Sequence, residues 1–306
     1  MTPVRCWFDL IRVRQWTKNL LVFVPLFFAG RFLEKEAILS EILLFFLFSL
    51  LSSGVYIIND LHDLERDRRH PLKRRRPLVR GSISPAAAAG AAFFFILFSC
   101  GIAISLLPPG TIVLLASYLL LQVLYNLLFR ERAGADVIVI GLGFVLRAAA
   151  GAVTIGVPAS AWLILCTFFG AVRLALGKRQ AELFGGKTGF RPGWESVSPQ
   201  TLHLSGALSS AVLLFSYLSY CIFSATARRI GILDLGRLLS DFPPFLLAVP
   251  PAFFGVLRYE ILAASGRAGE PEALIFRDAE LFGALFVWIL INLVVLALTW
   301  SGGIGR

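Results

Sequence analysis

The chain has 306 residues, of which 57% are hydrophobic and only 16% charged, and its formal net charge is +10. Ordinary soluble domains carry about 25% charged residues, so this composition leaves too little polar surface for a soluble protein. The positive charge is no nucleic-acid signal, and no nucleic-acid partner is expected. The Lys and Arg residues sit in short loops between apolar runs, where membrane topology collects them.

In chain order, residues 4–15 mix Trp7, Phe8, Leu10 and Ile11 with Arg5, Arg12 and Arg14, the pattern of an amphipathic helix lying at a membrane interface. No small-residue cleavage pattern follows the first apolar run, so no removable signal peptide is expected. Nine runs near the ~20 residues of a spanning helix follow: 17–33, 38–58, 84–107, 110–128, 135–153, 159–177, 201–224, 242–262 and 280–300. Cys6, Cys100, Cys166 and Cys221 lie in or beside these runs without paired spacing. They read as small buried hydrophobes, not as a disulfide frame or a zinc site. The expected fold is all-α, a polytopic membrane protein with one transmembrane domain over 1–306.

Orientation follows from the basic residues. If the N-terminus and the loops after spans 2, 4, 6 and 8 share a side, that side holds 20 of the 29 Lys and Arg, against 6 opposite. Arg147, Arg173 and Arg258 fall inside spans. Cytoplasmic loops collect Lys and Arg, so an N-in, C-out topology is expected. The loops 59–83 and 178–200 then share the cytoplasmic face and are the expected carriers of the active site.

The first of these loops opens with Asn59-Asp60-Leu61-His62-Asp63-Leu64-Glu65-Arg66-Asp67. On a helix continuing out of span 2, Asp60, Asp63 and Asp67 are spaced i, i+3, i+7, and Asn59, Asp63 and Asp67 are spaced i, i+4, i+8. Both series lie on one face. Three carboxylates over roughly 10 Å of helix repel one another unless a cation sits among them. Oxygen-only ligands suit Mg²⁺, which bridges carboxylates to substrate phosphates. Asn59, Asp60, Asp63 and Asp67 are therefore the candidate metal ligands. Pro71 ends the helix, and Lys73, Arg74, Arg75, Arg76 and Arg80 follow. A solvated, orienting loop accounts for the Arg run but not for acids gathered on one face. His62 points off that face and is read as a non-ligand.

After span 6 stands Gly177-Lys178-Arg179-Gln180-Ala181-Glu182. Lys178 and Arg179 share a face with Glu182, an arrangement that grips phosphate with Arg as a bidentate donor and Lys as a point charge. Arg147 lies deep in span 5, and a buried Arg costs about 2.5–3.5 kcal/mol even on lenient insertion scales. It is expected to face a polar cavity, with snorkelling to the outer interface as the alternative. Asp136, 11 residues earlier, lies near the same face. Arg173 and Arg258 are expected to snorkel.

The stretch Asn59-Asp60-x-x-Asp63-x-x-x-Asp67-x-x-His70-Pro71-x-Lys73-x-x-Arg76-Pro77 resembles the first aspartate-rich motif of the UbiA-type membrane prenyltransferase superfamily. That resemblance implies nine transmembrane helices around a central cavity, with Mg²⁺ and a substrate diphosphate held at the motif. Ordinary members carry a second aspartate motif where this chain has Lys178-Arg179. The substitution is similar to the decaprenyl-phosphate phosphoribosyltransferase branch. So are Arg14-Gln15-Trp16-Thr17-Lys18-Asn19, Tyr125-Asn126 with Arg130 and Asp136, Gly143-Phe144-x-x-Arg147-Ala148-x-x-Gly151, and Gly269-Glu270-Pro271-Glu272 with Asp278. Departures are Val13, where Pro is common, Asn126 for Ser and Arg130 for Lys.

The branch implies transfer of phosphoribosyl from 5-phosphoribosyl-1-diphosphate to a polyprenyl phosphate in the bacterial plasma membrane, with Mg²⁺ as cofactor. It implies donor phosphates on Lys178, Arg179, Arg191, Lys73 and Arg76, and the lipid phosphate on Lys18 and Arg130. Tyr125, Asp136, Arg147 and Glu182 complete the expected substrate-binding set, and homo-oligomers are left open. Two alternatives stand beside this reading. One is transfer of a prenyl chain to an aromatic acceptor, which the missing second acid motif disfavours. The other is transport of an anionic solute, which commonly shows two similar halves that this sequence lacks.

Overall fold

A computed structural model describes residues 3–69, 73–184, 192–223 and 244–303, and all regular structure among these is helical. The amphipathic α1 is Pro3–Leu10. A 3₁₀ helix, Val13–Phe23, runs into a short α2, Val24–Phe28. There follow α3 (Lys35–His62), α4 (Leu64–Arg68), α5 (Pro85–Leu106) and α6 (Pro109–Leu124), the last continued by a π-helical turn, Tyr125–Phe129. The remaining elements are α7 (Ala135–Thr154), α8 (Ala161–Phe184), α9 (Pro199–Phe223), α10 (Val249–Ala264), α11 (Pro271–Arg277) and α12 (Ala279–Gly303).

Among the described residues eight helices are long and apolar enough to cross a membrane, not the nine expected. The difference is the first span, 17–33, whose chain is 3₁₀ over 11 residues and α over only five. A 3₁₀ helix rises about 2.0 Å per residue against 1.5 Å in an α-helix, so Val13–Phe28 still extends roughly 30 Å, the thickness of a hydrocarbon core. Side chains hold it in this stretched form: Trp16 Nε1 donates to Ser53 Oγ at 3.0 Å, and Asn19 Nδ2 to Ser49 Oγ at 3.0 Å.

Helix length also positions the functional residues. At 28 residues α3 is about 42 Å long, so its last turns, carrying Asn59 and Asp60, outrun the hydrocarbon. At 24 residues α8 does the same, and Lys178 to Phe184 continue the helix beyond the expected boundary at 177. Ser84 starts α5 as a cap, its Oγ accepting from the Ala87 amide at 3.2 Å, with Pro85 in the first turn.

By its internal contacts the chain divides into two compact units. The first comprises Met1–Phe27, Arg31–Arg130 and Leu146–Ala159; the second comprises Phe28–Gly30, Glu131–Val145 and Ser160–Arg306. The first unit packs Leu44, Leu47, Phe48 and Leu51 of α3 against Ala103, Leu115, Tyr118 and Ala150. Gly151 permits the closest approach there, since a Cβ would stand 2.1 Å from the Val22 carbonyl oxygen. The second unit has one core of Val137, Val172, Leu176, Trp194 and Leu202, and another of Tyr259, Leu262, Leu274 and Leu281. Phe93, Phe94 and Leu127 of the first unit and Leu204 and Phe215 of the second are exposed apolar side chains, as helices facing lipid require.

Candidate active site

In the first unit, the expected unbroken helix through Asp67 is interrupted at Asp63, where ψ is 4°. The hydrogen-bond register survives the break: Asp63 N donates to Asn59 O at 2.9 Å and Asp67 N to Asp63 O at 2.8 Å. The acids therefore keep to one face. Asp60 and Asp67 are buried, while Asn59 and Asp63 are half-buried and His62 is exposed.

Three arginines from distant parts of the chain meet these acids. Lys73–Arg75 forms a 3₁₀ turn that brings Arg76 back onto the motif. Its Nη1 bridges Asp60 Oδ1 at 2.7 Å and Asp67 Oδ2 at 2.5 Å. Arg130 follows the π-helical turn, its amide donating to Tyr125 O at 2.8 Å, and its Nη2 reaches Asp63 Oδ2 at 2.5 Å. π-turns are rare and recur at functional sites; this one joins Tyr125 and Arg130 to the motif. Arg12, which sequence reasoning did not single out, donates to Asp60 Oδ1 and lies 4.9 Å from the centre of the Tyr56 ring. It has φ 54° and is the one non-glycine residue with positive φ among those described. Side chains visit this left-handed region at a cost of about 1–2 kcal/mol, and such strain collects at functional sites.

Among the described residues no three His, Cys, Asp or Glu side chains converge as a metal cage, so the four expected ligands are not assembled together. Asp60 and Asp67 alone converge, on a single guanidinium nitrogen. That nitrogen marks the place between two carboxylates where a cation fits. Mg²⁺ commonly uses one or two carboxylates and takes its remaining oxygens from phosphates and water, so this donor set suits it.

Deeper in the first unit, Arg147 does not snorkel. It is 4% exposed, with Nε donating to Asn19 Oδ1 at 2.7 Å, Nη2 to Tyr118 OH at 2.9 Å, and its guanidinium 4.5 Å from the Tyr118 ring centre. Lys18 is half-buried one residue before Asn19.

In the second unit, Arg179 is sealed rather than presented. It is 3% exposed, its Nη2 donating to Asp136 Oδ2 at 2.9 Å and its Nη1 to Glu182 Oε2 at 2.6 Å. Asp136 is fully buried and also accepts from Trp194 Nε1 at 3.2 Å. Lys178, by contrast, is exposed. The structure thus joins Asp136, Arg179 and Glu182, adds Trp194, and leaves Lys178 as the outward-facing cation at the end of α8. Arg191 lies outside the described residues.

Arg173 was expected to snorkel and does not. It grips Glu260 with Nε and Nη2, the latter at 2.7 Å, and its guanidinium lies 4.8 Å from the Tyr259 ring centre. Ser210 also donates to Glu260. A signal for Glu260 existed: an acid inside a span needs a partner, and Arg173 was in the sequence to supply it. Arg258 does reach outward, donating to Asp278 at 3.1 and 2.9 Å. Asp278, which also accepts from the Leu281 amide, is held below the usual carboxylate range by the Arg258 guanidinium.

A family model, "UbiA prenyltransferase family", matches residues 21–182, a stretch that contains the acids of both clusters and Arg76, Arg130 and Arg179, but not Arg12. The chain belongs to this family. It is an integral membrane protein accordingly. A decaprenyl-phosphate phosphoribosyltransferase of Mycolicibacterium smegmatis is 32% identical over 286 residues, covering 91% of this chain and 88% of that protein. The protein of the same name from Corynebacterium glutamicum is 30% identical over 288 residues, covering 91% and 83%. Among solved structures, a UbiA homolog from Archaeoglobus fulgidus bound to DMAPP and Mg²⁺ superposes with TM-score 0.66 at 18% identity, covering 96% of this chain and 98% of that one. It supports the fold.

Proposed function

We propose that this UbiA-family protein transfers the 5-phosphoribosyl group of 5-phosphoribosyl-1-diphosphate to a polyprenyl phosphate, decaprenyl phosphate or a close analogue, and releases diphosphate. The observation that carries this reading is the end of α8. There Lys178 is exposed and Arg179 is braced by Asp136 and Glu182, where a prenyl-diphosphate site of the family would have a second cluster of acids. A donor with a 5-phosphate as well as a diphosphate has use for that extra cation. The names of the relatives that span most of the chain point the same way.

In the reaction an oxygen of the lipid phosphate attacks the anomeric carbon. The bond from that carbon to the diphosphate breaks, and its electron pair leaves with the diphosphate. The acceptor is already anionic near neutral pH, so no strong general base is needed. Asp60 and Asp67 are the residues to hold Mg²⁺, with Asn59 and Asp63 beside them. Mg²⁺ held there would supply positive charge against the charge growing on the departing diphosphate. Arg76 and Arg130, already oriented at the motif, donate to phosphate oxygens. Arg147, enclosed by Asn19 and Tyr118, acts by holding Asn19 and its neighbour Lys18 in place rather than by touching the donor. The basic-residue asymmetry of the loops supports a site at the cytoplasmic face, where a soluble, highly charged donor has access.

The test is to reconstitute purified protein with Mg²⁺, labelled phosphoribosyl diphosphate and decaprenyl phosphate. The expected result is label in the lipid extract. Transfer of a prenyl chain to an aromatic acid, without lipid-linked ribose, would establish the competing family reaction instead.

A further inference from the structure

The acids of the aspartate motif do not stand as a bare anionic cluster. Asp60 is met by Arg12 and Arg76, Asp67 by Arg76, and Asp63 by Arg130. These six side chains carry no net charge between them. All three arginine side chains are partly exposed, at 27, 29 and 21%, so each can turn from a carboxylate to a ligand without unfolding anything. Arg12 is held on Asp60 from both sides of its strained backbone. On one side Ser53 Oγ donates to Ile11 O at 2.7 Å, and Cys6 and Leu10 of α1 pack against Ile57, Leu78 and Ala92. On the other, Trp16 and Asn19 are tied to the serines of α3.

A bare divalent cation arriving here must separate carboxylates from guanidiniums and brings no anion to replace the carboxylates they lose. A metal–diphosphate complex presents its cation to the carboxylates and its phosphate oxygens to the arginines, so every broken pair is replaced by another charge-assisted contact. We infer that the motif selects the metal–diphosphate complex over the bare cation, and that Arg12 is one of the groups that enforce this selection. The inference rests on reading the aspartate face as a diphosphate site. It adds that metal and diphosphate bind with strong mutual cooperativity, a coupling that is reciprocal by necessity.

The test measures free Mn²⁺ by electron paramagnetic resonance over purified wild-type protein and the Arg12→Gly variant, against protein-free titrations at the same diphosphate concentration so that Mn²⁺ complexed in solution is subtracted. Each is titrated alone, with inorganic pyrophosphate and with phosphoribosyl diphosphate. Glycine adopts the left-handed conformation of position 12 without strain, so the variant removes the guanidinium while favouring the observed backbone; its melting temperature checks that it is folded. For wild type, saturating pyrophosphate should tighten Mn²⁺ binding by about tenfold or more. Arg12→Gly should bind bare Mn²⁺ several-fold more tightly than wild type, and the gain from pyrophosphate should shrink. Equal Mn²⁺ affinity with and without pyrophosphate in wild type overturns the inference. So does a variant that binds bare Mn²⁺ no better than wild type. If pyrophosphate tightens Mn²⁺ binding and phosphoribosyl diphosphate does not, the selection stands and the proposed donor falls.

Discussion

Two clusters of acids and arginines, one in each unit, are built differently. In the first unit the arginines are a fifth to a third exposed and shared between acids, Arg76 touching two and Asp60 accepting from two. In the second, Arg179 and Asp136 are sealed at 3 and 0% exposed, and Trp194 closes over them. Shared, partly solvated pairs exchange partners easily, whereas a sealed pair leaves an uncompensated charge when broken. That difference is why the first cluster is the one proposed to exchange its partners for a ligand, while the second fixes Arg179 and Glu182 at the end of α8.

The largest expected effect follows from the first cluster. Asp67→Asn should lower transfer activity by more than about 10²-fold, the scale for losing a group that stabilises developing charge, with little change in melting temperature. Assays at saturating Mg²⁺ alongside thermal melts check both halves. Full activity without added metal would break the metal assignment of this motif.

Next come the ion pairs of the two buried arginines, Arg179 and Arg173, the latter with a half-buried Glu260. Asp136→Ala removes the fully buried partner of Arg179, which keeps Glu182, and should cost about 3 kcal/mol of stability, read as a large drop in melting temperature and in recovered protein. Arg173→Met or Glu260→Met alone should behave similarly. The double variant should recover most of the loss, because a buried pair replaced by apolar side chains is often neutral. If Asp136→Ala keeps its stability and loses only donor affinity, the two clusters are alike and the contrast fails.

Smaller is Gly193→Ala. A Cβ there would sit 1.9 Å from Glu131 O, so the backbone beside Trp194 must shift, at about 1–3 kcal/mol. Smallest is the pH response of Asp278. Its folded pKa lies below the ordinary value because of Arg258, so it contributes stability above the unfolded pKa near 3.9. That contribution is lost as pH falls through the folded value. Asp278→Asn should therefore flatten the acid limb of a stability–pH profile and leave the neutral region nearly unchanged.

The sequence made one kind of relation legible and not the other. Apolar run length located the helices, and the i, i+3, i+7 spacing put Asp60, Asp63 and Asp67 on one face even though the helix breaks at Asp63. Both are local periodicities that a single segment encodes. The first span was misread as an ordinary α-helix because run length alone cannot register a 3₁₀ stretch tied down by Ser49 and Ser53 of another helix. Arg12 reaches Asp60 across 48 residues from a left-handed backbone that nothing near it in sequence announces. Trp194 meets Asp136 across 58 residues from a three-residue 3₁₀ turn. Such partners depend on how distant segments pack, which one sequence does not display. Arg173 and Glu260, two opposite charges inside spans, could have been paired from the sequence, but Arg173 was expected to snorkel and Glu260 was missed.

The most direct measurement is a single-turnover reaction with donor labelled in the ribose and, separately, in the diphosphate. One ribose should enter decaprenyl phosphate for each diphosphate released, with both events lost together in Asp67→Asn. Diphosphate release that proceeds without lipid-linked ribose, or that survives Asp67→Asn, would contradict the assignment of this site and reaction.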